Sequence, residues 1–524
     1  MSGASGQPLR VAILGWAGLA MQEREGTGYN LHVSELAAGL AAAGHEVSYL
    51  RSGMDYAMRP GMFIRRRAAW RGVQNFDLVN SPNLSVGFFN FRNVAEQISS
   101  PRHTRLVIEW LKERRAELVH IHSLEGYGFD LVAAVRGAGF PVVVTPHNYY
   151  ALCPQVDLLH REVNVCDDYD GGRRCEGCLS APDYRAERRH RTWYQSTPGS
   201  VSRGVALGYR KGRALIARKL GMAEGGEVDA PPAPLPTRPS TQPDINSRLM
   251  ESTHHLKVLN NYGDRRAAGV AAMNGATLVL CPSKFLMGVH ASMGVDPAVM
   301  RHVPLGQPHF DAIAAAAEQS AFYRQPPWVP GRDTRPLRFG FFGSTRYNKG
   351  LDVLVRAVAL LTLDTRSRCH FHIRAGGDTR AHQEFLKGVP EASFCGGYTP
   401  AELPATLGAF DVGIVPTTGL ENSPFVILEH LHAGKFVIGS RLGGPTDFIN
   451  EPRNGVLVPA GSPQALAEAM TALVRGQVRV PSAAEVREAS RLRTFEEYLR
   501  EVVGVYREVI EPMGERRGRE RELV

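Results

Sequence analysis

The sequence predicts an α/β protein of two doubly wound parallel-sheet domains facing across a cleft, with an insertion in the first domain. Three observations predict this. A chain of 524 residues is too long for one hydrophobic core. Short apolar runs, each followed by a polar loop and a helical pattern, recur in two separate series. Between the series lies "FYRQPPWVPGRDTRP", Phe322 to Pro336, whose prolines and charges read as a domain boundary.

The first series opens with the strand "LRVAILGW", Leu9 to Trp16. The loop "EREGTGYN" follows, with Gly26 and Gly28. "HVSELAAGLAAAGHEVSYL", His32 to Leu50, reads as a helix stopped at Gly44 and then a second strand. "AELVHIH", "FPVVVTPHN" and "ATLVLCPS" are further strands, apolar throughout as in sheets covered on both faces. The N-terminal, acceptor-side domain is placed at 1–321, with an insertion at about 151–260. That insertion carries a cysteine cluster, then basic residues, then six prolines in "EVDAPPAPLPTRPSTQPD", Glu227 to Asp244. After the linker at 322–336, the second domain spans 337–485, from "LRFGFFGSTRYNKGLDVLVRAVALL" through "CHFHIRAGG", "FDVGIVPT", "KFVIGS" and "GVLVPAG". Helices at 486–510 are expected to pack back on the first domain, and 511–524 is a charged tail.

Charged residues at 22% and apolar ones at 43% suit a soluble globular protein. The start, "MSGASGQPLR", lacks a secretory pattern, and no apolar run reaches membrane-span length. Seven cysteines do not form a secreted disulfide scaffold. A cytoplasmic protein is the expectation, at the inner face of the cytoplasmic membrane if the basic segment binds lipid. The net charge of +9 is concentrated between Asp183 and Lys219, where ten Arg or Lys face only Asp183 and Glu187. Trp193 and Tyr194 lie within that stretch. Such a segment suits anionic lipid headgroups, and a solvated surface insertion has the same composition. No nucleic-acid motif accompanies it, so no nucleic-acid partner is expected.

The stretch "GLENSPFVILEHLHAGKFVIGSRLGGPTDF" holds the sharpest question. Asn422 or Ser423 caps a helix, Pro424 suits its first turn, and Gly434 ends it. Glu421 then precedes the helix, and Glu429 sits inside an almost wholly apolar one. A buried carboxylate needs a partner. Two readings stay open: an ion pair with an Arg or Lys, or a ligand rich in hydroxyl groups whose phosphates approach the helix start. Ligands of open α/β sheets bind beyond the carboxyl ends of the strands. The polar residues there are Gly26 and Gly28, His120 and His122, and His147 and Asn148 in the first domain. In the second they are Arg346 and Lys349, Gly376 and Gly377, Glu421, and Gly443 and Gly444. Lys349, just before a helix start, suits a diphosphate, because its charge and the helix dipole both favour an anion; a surface ion pair is the competing reading. His120 and His122 alternate on one strand and read as sheet-end packing, because a two-histidine metal site lacks further ligands.

"ENSPFVILEHLHAGKFVIGSRLGG", together with "GSTRYNKG" and "GTGYNLHV", resembles the retaining nucleotide-sugar glycosyltransferases of glycosyltransferase family 4. Those enzymes have the GT-B fold, two facing Rossmann-like domains. The resemblance runs from about Leu9 to Ile510 apart from the middle insertion. It implies a nucleoside diphosphate sugar as donor. Glu421 would contact the transferred sugar, Glu429 the ribose, and Lys349 with Arg346 the diphosphate. Ser344 stands where the family usually has its arginine, and Arg346 comes two residues later. His147 would lie beside the donor sugar as a hydroxyl partner, with a general-base role as the alternative. Gly26 and Gly28 would let backbone approach the phosphates. Ser423, Pro424, Phe425 and Val426 would complete the donor site, with Gly376 and Tyr398 near the base. Retention would follow from attack on the face that the diphosphate leaves. No Asp-x-Asp motif is evident near these elements, so no catalytic metal cofactor is expected. The acceptor would be a glycan or a lipid-linked glycan of cell-surface or exopolysaccharide biosynthesis. A sugar-nucleotide epimerase, a transferase to phosphate and a non-catalytic binding protein share the fold and remain alternatives.

Four cysteines cluster in "CPQVDLLHREVNVCDDYDGGRRCEGC": Cys153, Cys166, Cys175 and Cys178. The terminal Cys-x-x-Cys with two cysteines upstream is compatible with structural zinc. Buried free thiols and a redox pair compete with it. Cys281, Cys369 and Cys395 adjoin apolar runs and read as core residues.

Overall fold

The computed structural model describes residues 7–19, 28–197, 261–398 and 402–522. Gly26, the proline-rich stretch 227–244 and the basic residues of the insertion between 203 and 219 lie outside the described residues.

The first sheet takes strands β1 (Arg10–Gly15), β2 (Glu46–Asp55), β3 (Phe63–Arg66), β4 (Gln74–Val79), β5 (Leu118–Ile121), β6 (Val142–Val144), β9 (Leu278–Cys281) and β10 (Met300–His302). Their order is β10-β9-β6-β5-β1-β2-β4-β3, parallel except for β3, which runs antiparallel at the edge. The small hairpin of β7 (Leu159–His160) and β8 (Asn164–Val165) lies in the insertion. The second sheet is wholly parallel: β11 (Leu337–Ser344), β12 (Cys369–Gly376), β13 (Ala392–Phe394), β14 (Val412–Val415), β15 (Phe436–Ser440) and β16 (Gly455–Val458), in the order β13-β12-β11-β14-β15-β16. Strand order reverses at β1 and β5 in one sheet and at β11 and β14 in the other, the two places where ligands bind such sheets.

Eight helices position the site: α1 (Gly28–Ala42), α2 (Tyr184–Ser196), α3 (Asn261–Asn274), α4 (Pro308–Gln319), α5 (Leu351–Leu360), α6 (Phe425–His432), α7 (Ala483–Ser490) and α8 (Phe495–Glu522). Both faces of the first sheet are buried, which explains its continuous apolar strands. One face packs against Trp110, Tyr127 and Met273, and the other against Leu36 and Leu40 of α1 and Tyr498, Val502 and Tyr506 of α8. Tyr498 and Tyr506 therefore seat α8 on the first domain. By contrast, α7 stays on the second domain, where Val486 joins the core of β11 and β15. The charged end at 511–522 continues α8 as helix up to Glu522.

The packing changes domain before the proline-rich linker. Ile313 of α4 already packs with Phe342, Leu407 and Phe410 of the second domain. Within the linker, Trp328 enters the second core and Arg335 pairs with Asp411 through two bonds of 2.6 and 3.0 Å. Cys281 and Cys369 are buried, but Cys395 is exposed, because β13 ends one residue earlier and the chain turns to solvent.

Candidate active site between the two domains

The chain leaving β11 turns through Arg346 and Lys349 into α5, and the chain leaving its neighbour β14 runs through Glu421 into α6. The two loops touch. Lys349 Nζ donates to Glu421 Oε1 in a partly buried ion pair. Gly350 makes the approach possible: its φ is 75°, and a Cβ there would sit 1.9 Å from the Pro416 carbonyl oxygen. The paired glycines serve packing in the same way. A Cβ on Gly444 would lie 1.7 Å from the Asn422 carbonyl, and the Gly444 N–H donates to the Glu421 carbonyl at 2.7 Å. They fix the Glu421 loop from below.

Helix α6 begins at Phe425 with Pro424 as its cap residue, and no side chain caps it. Asn422 points elsewhere, which corrects the sequence expectation of an Asn422 or Ser423 cap. Its amide donates to the Pro146 carbonyl at 3.2 Å and accepts from Ser283 Oγ at 2.9 Å, both in the first domain. Gly434 ends the helix at φ 69°, as its position implies. Ser423 Oγ and Thr417 Oγ1 are buried without a partner, as are both amide atoms of Gln307. Buried polar atoms in folded proteins rarely stay unpaired, so these loops carry spare hydrogen-bonding capacity.

Glu429 is 7% exposed on α6. No Arg or Lys among the described residues pairs with it. Its Oε1 faces His309 Nε2 at 3.2 Å. Burial, reinforced by the Glu429 charge, keeps the Tyr398 hydroxyl protonated. An imidazole and a phenol leave a carboxylate free to accept from further hydroxyls, unlike a guanidinium clamp. His309 escaped the sequence reading because "GQPHFD" follows no strand pattern and reaches Glu429 only through the packing of α4 on α6. Gly376 ends β12, and its backbone lies beside Gly397, so both glycines leave open space near Tyr398.

Across the cleft, α1, β5 and β6 bring histidines together. His122 Nδ1 and His147 Nε2 are 3.1 Å apart, and the His32 ring centroid is 4.9 Å from that of His147. Tyr29 meets His147 edge-on at 5.1 Å. Burial lowers the pKa of His147 to about 3, so its imidazole is neutral near pH 7 and a weak base. That favours a hydrogen-bonding role over the general-base alternative. His120 turns away from the cleft: its Nδ1 meets Tyr506 Oη at 2.6 Å and its Nε2 meets Thr145 Oγ1 at 2.8 Å. The third histidine that the sequence spacing did not supply is His32, from α1. Nitrogens of His32, His122 and His147 lie within 4.8 Å of one another. The His122–His147 contact and the 2.7 Å contact of His32 Nε2 with Tyr498 Oη already engage three of those imidazole nitrogens.

The domains meet directly. A Cβ on Gly28 would stand 3.5 Å from the Phe425 ring, and Phe285 N–H donates to Asp447 at 2.9 Å. Arg346 is exposed, with its field reaching Asp157. Asp157 is a further cleft residue that the sequence did not single out. Burial, reinforced by the Glu421 charge, pushes its pKa up to about 6, against the pull of Lys349 and Arg346. Val156 and Leu158 on either side adopt left-handed φ values of 74° and 50°. A cavity of about 280 Å³ lined by Arg10, Glu46, Gln74 and Arg114 lies at the opposite, amino-terminal edge of the first sheet. By the strand-end rule it is the wrong end for the ligand.

Thus Lys349 meets Glu421 on the second domain, and the start of α6 meets the first domain through Phe425 at Gly28 and Asn422 at Pro146 and Ser283.

Comparison with known proteins bears on this arrangement. Residues 27–197 match the family model "Glycosyl transferase 4-like domain", and residues 336–476 match "Glycosyl transferases group 1". A D-inositol 3-phosphate glycosyltransferase of Corynebacterium glutamicum (strain R) is 33% identical over 143 residues, 26% of this chain and 34% of that protein. The match thus spans about a third of that relative's length. A sucrose-phosphate synthase from Thermosynechococcus elongatus superposes with a TM-score of 0.54 at 16% identity, covering 97% of this chain and 100% of that one. An α,α-trehalose 6-phosphate synthase from Burkholderia multivorans gives 0.55 at 12%, covering 97% and 100%. Anabaena HepE in complex with UDP gives 0.53 at 13%, covering 94% and 98%. At these identities the superpositions establish a shared fold.

Proposed function

We propose that this chain, a protein of the GT-B fold in which residues 27–197 and 336–476 match glycosyltransferase domains, is a retaining glycosyltransferase. In this reading it moves a sugar from a nucleoside diphosphate sugar to a hydroxyl of a glycan or lipid-linked acceptor. The observation that carries the reading is the Lys349–Glu421 pair formed by the loops that leave β11 and β14 at the switch point of the second sheet, with Glu429 on the helix that follows paired only with His309 among the described residues. Lys349 leaves Glu421 to bind the diphosphate, with Arg346 and the positive end of the α5 dipole beside it. Glu421 then accepts from a sugar hydroxyl, Glu429 accepts from the ribose, and neutral His147 bonds a further sugar hydroxyl. The acceptor oxygen forms its bond to the anomeric carbon on the face that the diphosphate leaves. The acceptor proton passes to the departing phosphate oxygen. The protein contributes positioning and a fixed cationic field.

Calorimetry of nucleoside diphosphates and their sugars against wild type and Glu429→Ala tests this. One nucleotide should bind selectively, and the variant should bind it about 10- to 100-fold more weakly, the worth of a charge-assisted hydrogen bond. Folded protein that binds none of them would overturn the reading.

A membrane-surface acceptor is part of the same proposal. On α2, Arg185, Arg189, Trp193 and Tyr194 are exposed, near the exposed Phe88 and Met58. Arg191 is not available to lipid, because it donates to the Gly53 and Ser85 carbonyls. Vesicles with anionic lipid should bind wild type and release Arg185→Glu/Arg189→Glu. Equal binding by both would remove α2 from the proposal.

A further inference from the structure

The insertion holds four cysteines that the cleft chemistry does not use. Cys153, Cys166, Cys175 and Cys178 line one small space, closed by Phe91, His160 and Arg266. Three are buried and Cys178 is half-buried. The segment around them has little regular structure beyond the two-residue strands β7 and β8 and single helical turns. Yet it holds Val156, Leu158, Arg161, Glu162 and Asp170 at left-handed φ. Such conformations persist only where surrounding contacts fix them, and a loop this short on apolar core needs a staple.

Two further observations identify the staple. Backbone N–H groups point at the sulfurs: Arg161 N–H donates to Cys178 Sγ at 3.4 Å, and the Gln155 and Leu158 amides act on Cys153. Next to the sulfurs, α3 buries two guanidinium groups. Arg265 is fully buried over the Phe129 and Tyr150 rings and donates to Gln97 and the Tyr150 carbonyl, while its Nη1 has no partner among the described residues. Arg266 donates to the Leu152 carbonyl and lies 3.3 Å over the Tyr169 ring. Neither forms an ion pair among the described residues. The carboxylate of Glu125 reaches Arg265 only through its field. Buried cations without a counter-charge are costly.

We propose that Cys153, Cys166, Cys175 and Cys178 bind one Zn²⁺ as four thiolates, forming a site of net charge −2 that balances Arg265 and Arg266. Binding releases four thiol protons to solvent, and no oxidant or reductant is involved. No three of the sulfurs lie mutually within 4.8 Å, so the ligands close inward on the ion. The consequence reaches the cleft. The same loop carries Asp157 toward Glu421 and Lys349, and places Leu159 within 3.5 Å of the Cβ position of Gly419. The zinc clip thereby sets one wall of the site without touching the reacting atoms.

Metal analysis of the full-length chain, purified without chelator, tests this and needs no nucleotide. One zinc per chain is expected in wild type and in Cys395→Ser, and none in Cys175→Ser/Cys178→Ser. If the double variant fails to fold, the wild type decides. Chelation should release zinc and expose four additional reactive thiols together, and Co²⁺ exchange should give tetrahedral thiolate bands. Metal-free protein with all thiols reactive would overturn the proposal. Disulfides within the cluster, iron with bridging sulfide, or zinc retained by the double variant and held by His32, His122 and His147 would overturn it too.

Discussion

Lys349→Ala is expected to lower turnover by about 100- to 1,000-fold, the usual effect of removing one preorganised charge from a transition state. Its thermal midpoint should barely move. Among the described residues Lys349 pairs with Glu421 alone, and its side chain is 36% exposed. An ion pair so open to solvent contributes about 1 kcal/mol or less to stability. The disproportion between activity and stability is the diagnostic feature. Release of nucleoside diphosphate from the donor found by calorimetry gives the rate, and a thermal scan gives the midpoint. Glu421→Gln should behave similarly in rate. Glu421 loses a sugar contact and Lys349 loses its resting partner, so the double variant should cost less than the two single losses combined. Variants that unfold while their folded fraction keeps full turnover would make the pair structural.

The second large effect is acid lability. Buried His32, His120 and His122 and half-buried His147 form one group in which each imidazole is held neutral. Burial pushes His120 and His147 down to about 3 and lowers His32 and His122 well below the usual range. In the unfolded chain each titrates near the ordinary value of about 6.5. Above that pH both states are neutral and stability is unaffected. Below it the unfolded state takes up protons that the folded state refuses, so stability falls as pH falls, by about 1.4 kcal/mol per unit for each histidine. At pH 5 the four together cost about 8 kcal/mol, comparable to the whole stability of an ordinary domain, about 5 to 15 kcal/mol. Urea midpoints should therefore be level above pH 7 and fall steeply below about pH 6.5. His120→Gln keeps polar contacts to Tyr506 and Thr145 and should flatten the slope by about one proton. A midpoint unchanged down to pH 5 would mean that these rings are protonated in the fold.

Glu429 shows how far the sequence reached. That it lies on a buried helix was legible from the apolar run between Pro424 and Gly434. Its partner was not, because α4 brings His309 across from a part of the chain more than a hundred residues away. Asn422 shows the converse: local propensity suggested a helix cap, but a contact with Pro146 and Ser283 of the other domain wins its side chain. Asp157 had no signal at all in the sequence. Its place in the cleft depends on left-handed neighbours inside an irregular insertion, which no periodicity describes.

The sequence by itself determined the two-domain α/β architecture. Strands buried on both faces must be apolar throughout, and glycines must stand where loops press backbone to backbone. It also determined which carboxylates and which lysine follow the strands of the second sheet. Only the tertiary structure decided what those groups face: Lys349 on Glu421, His309 on Glu429, four histidines from α1 and from the ends of β5 and β6 in one group, and α8 returning to hold His32 and His120 through Tyr498 and Tyr506. The reason is physical. Periodicity and propensity act over a few residues, whereas a site between domains is made by contacts across hundreds, chosen by how the two cores pack.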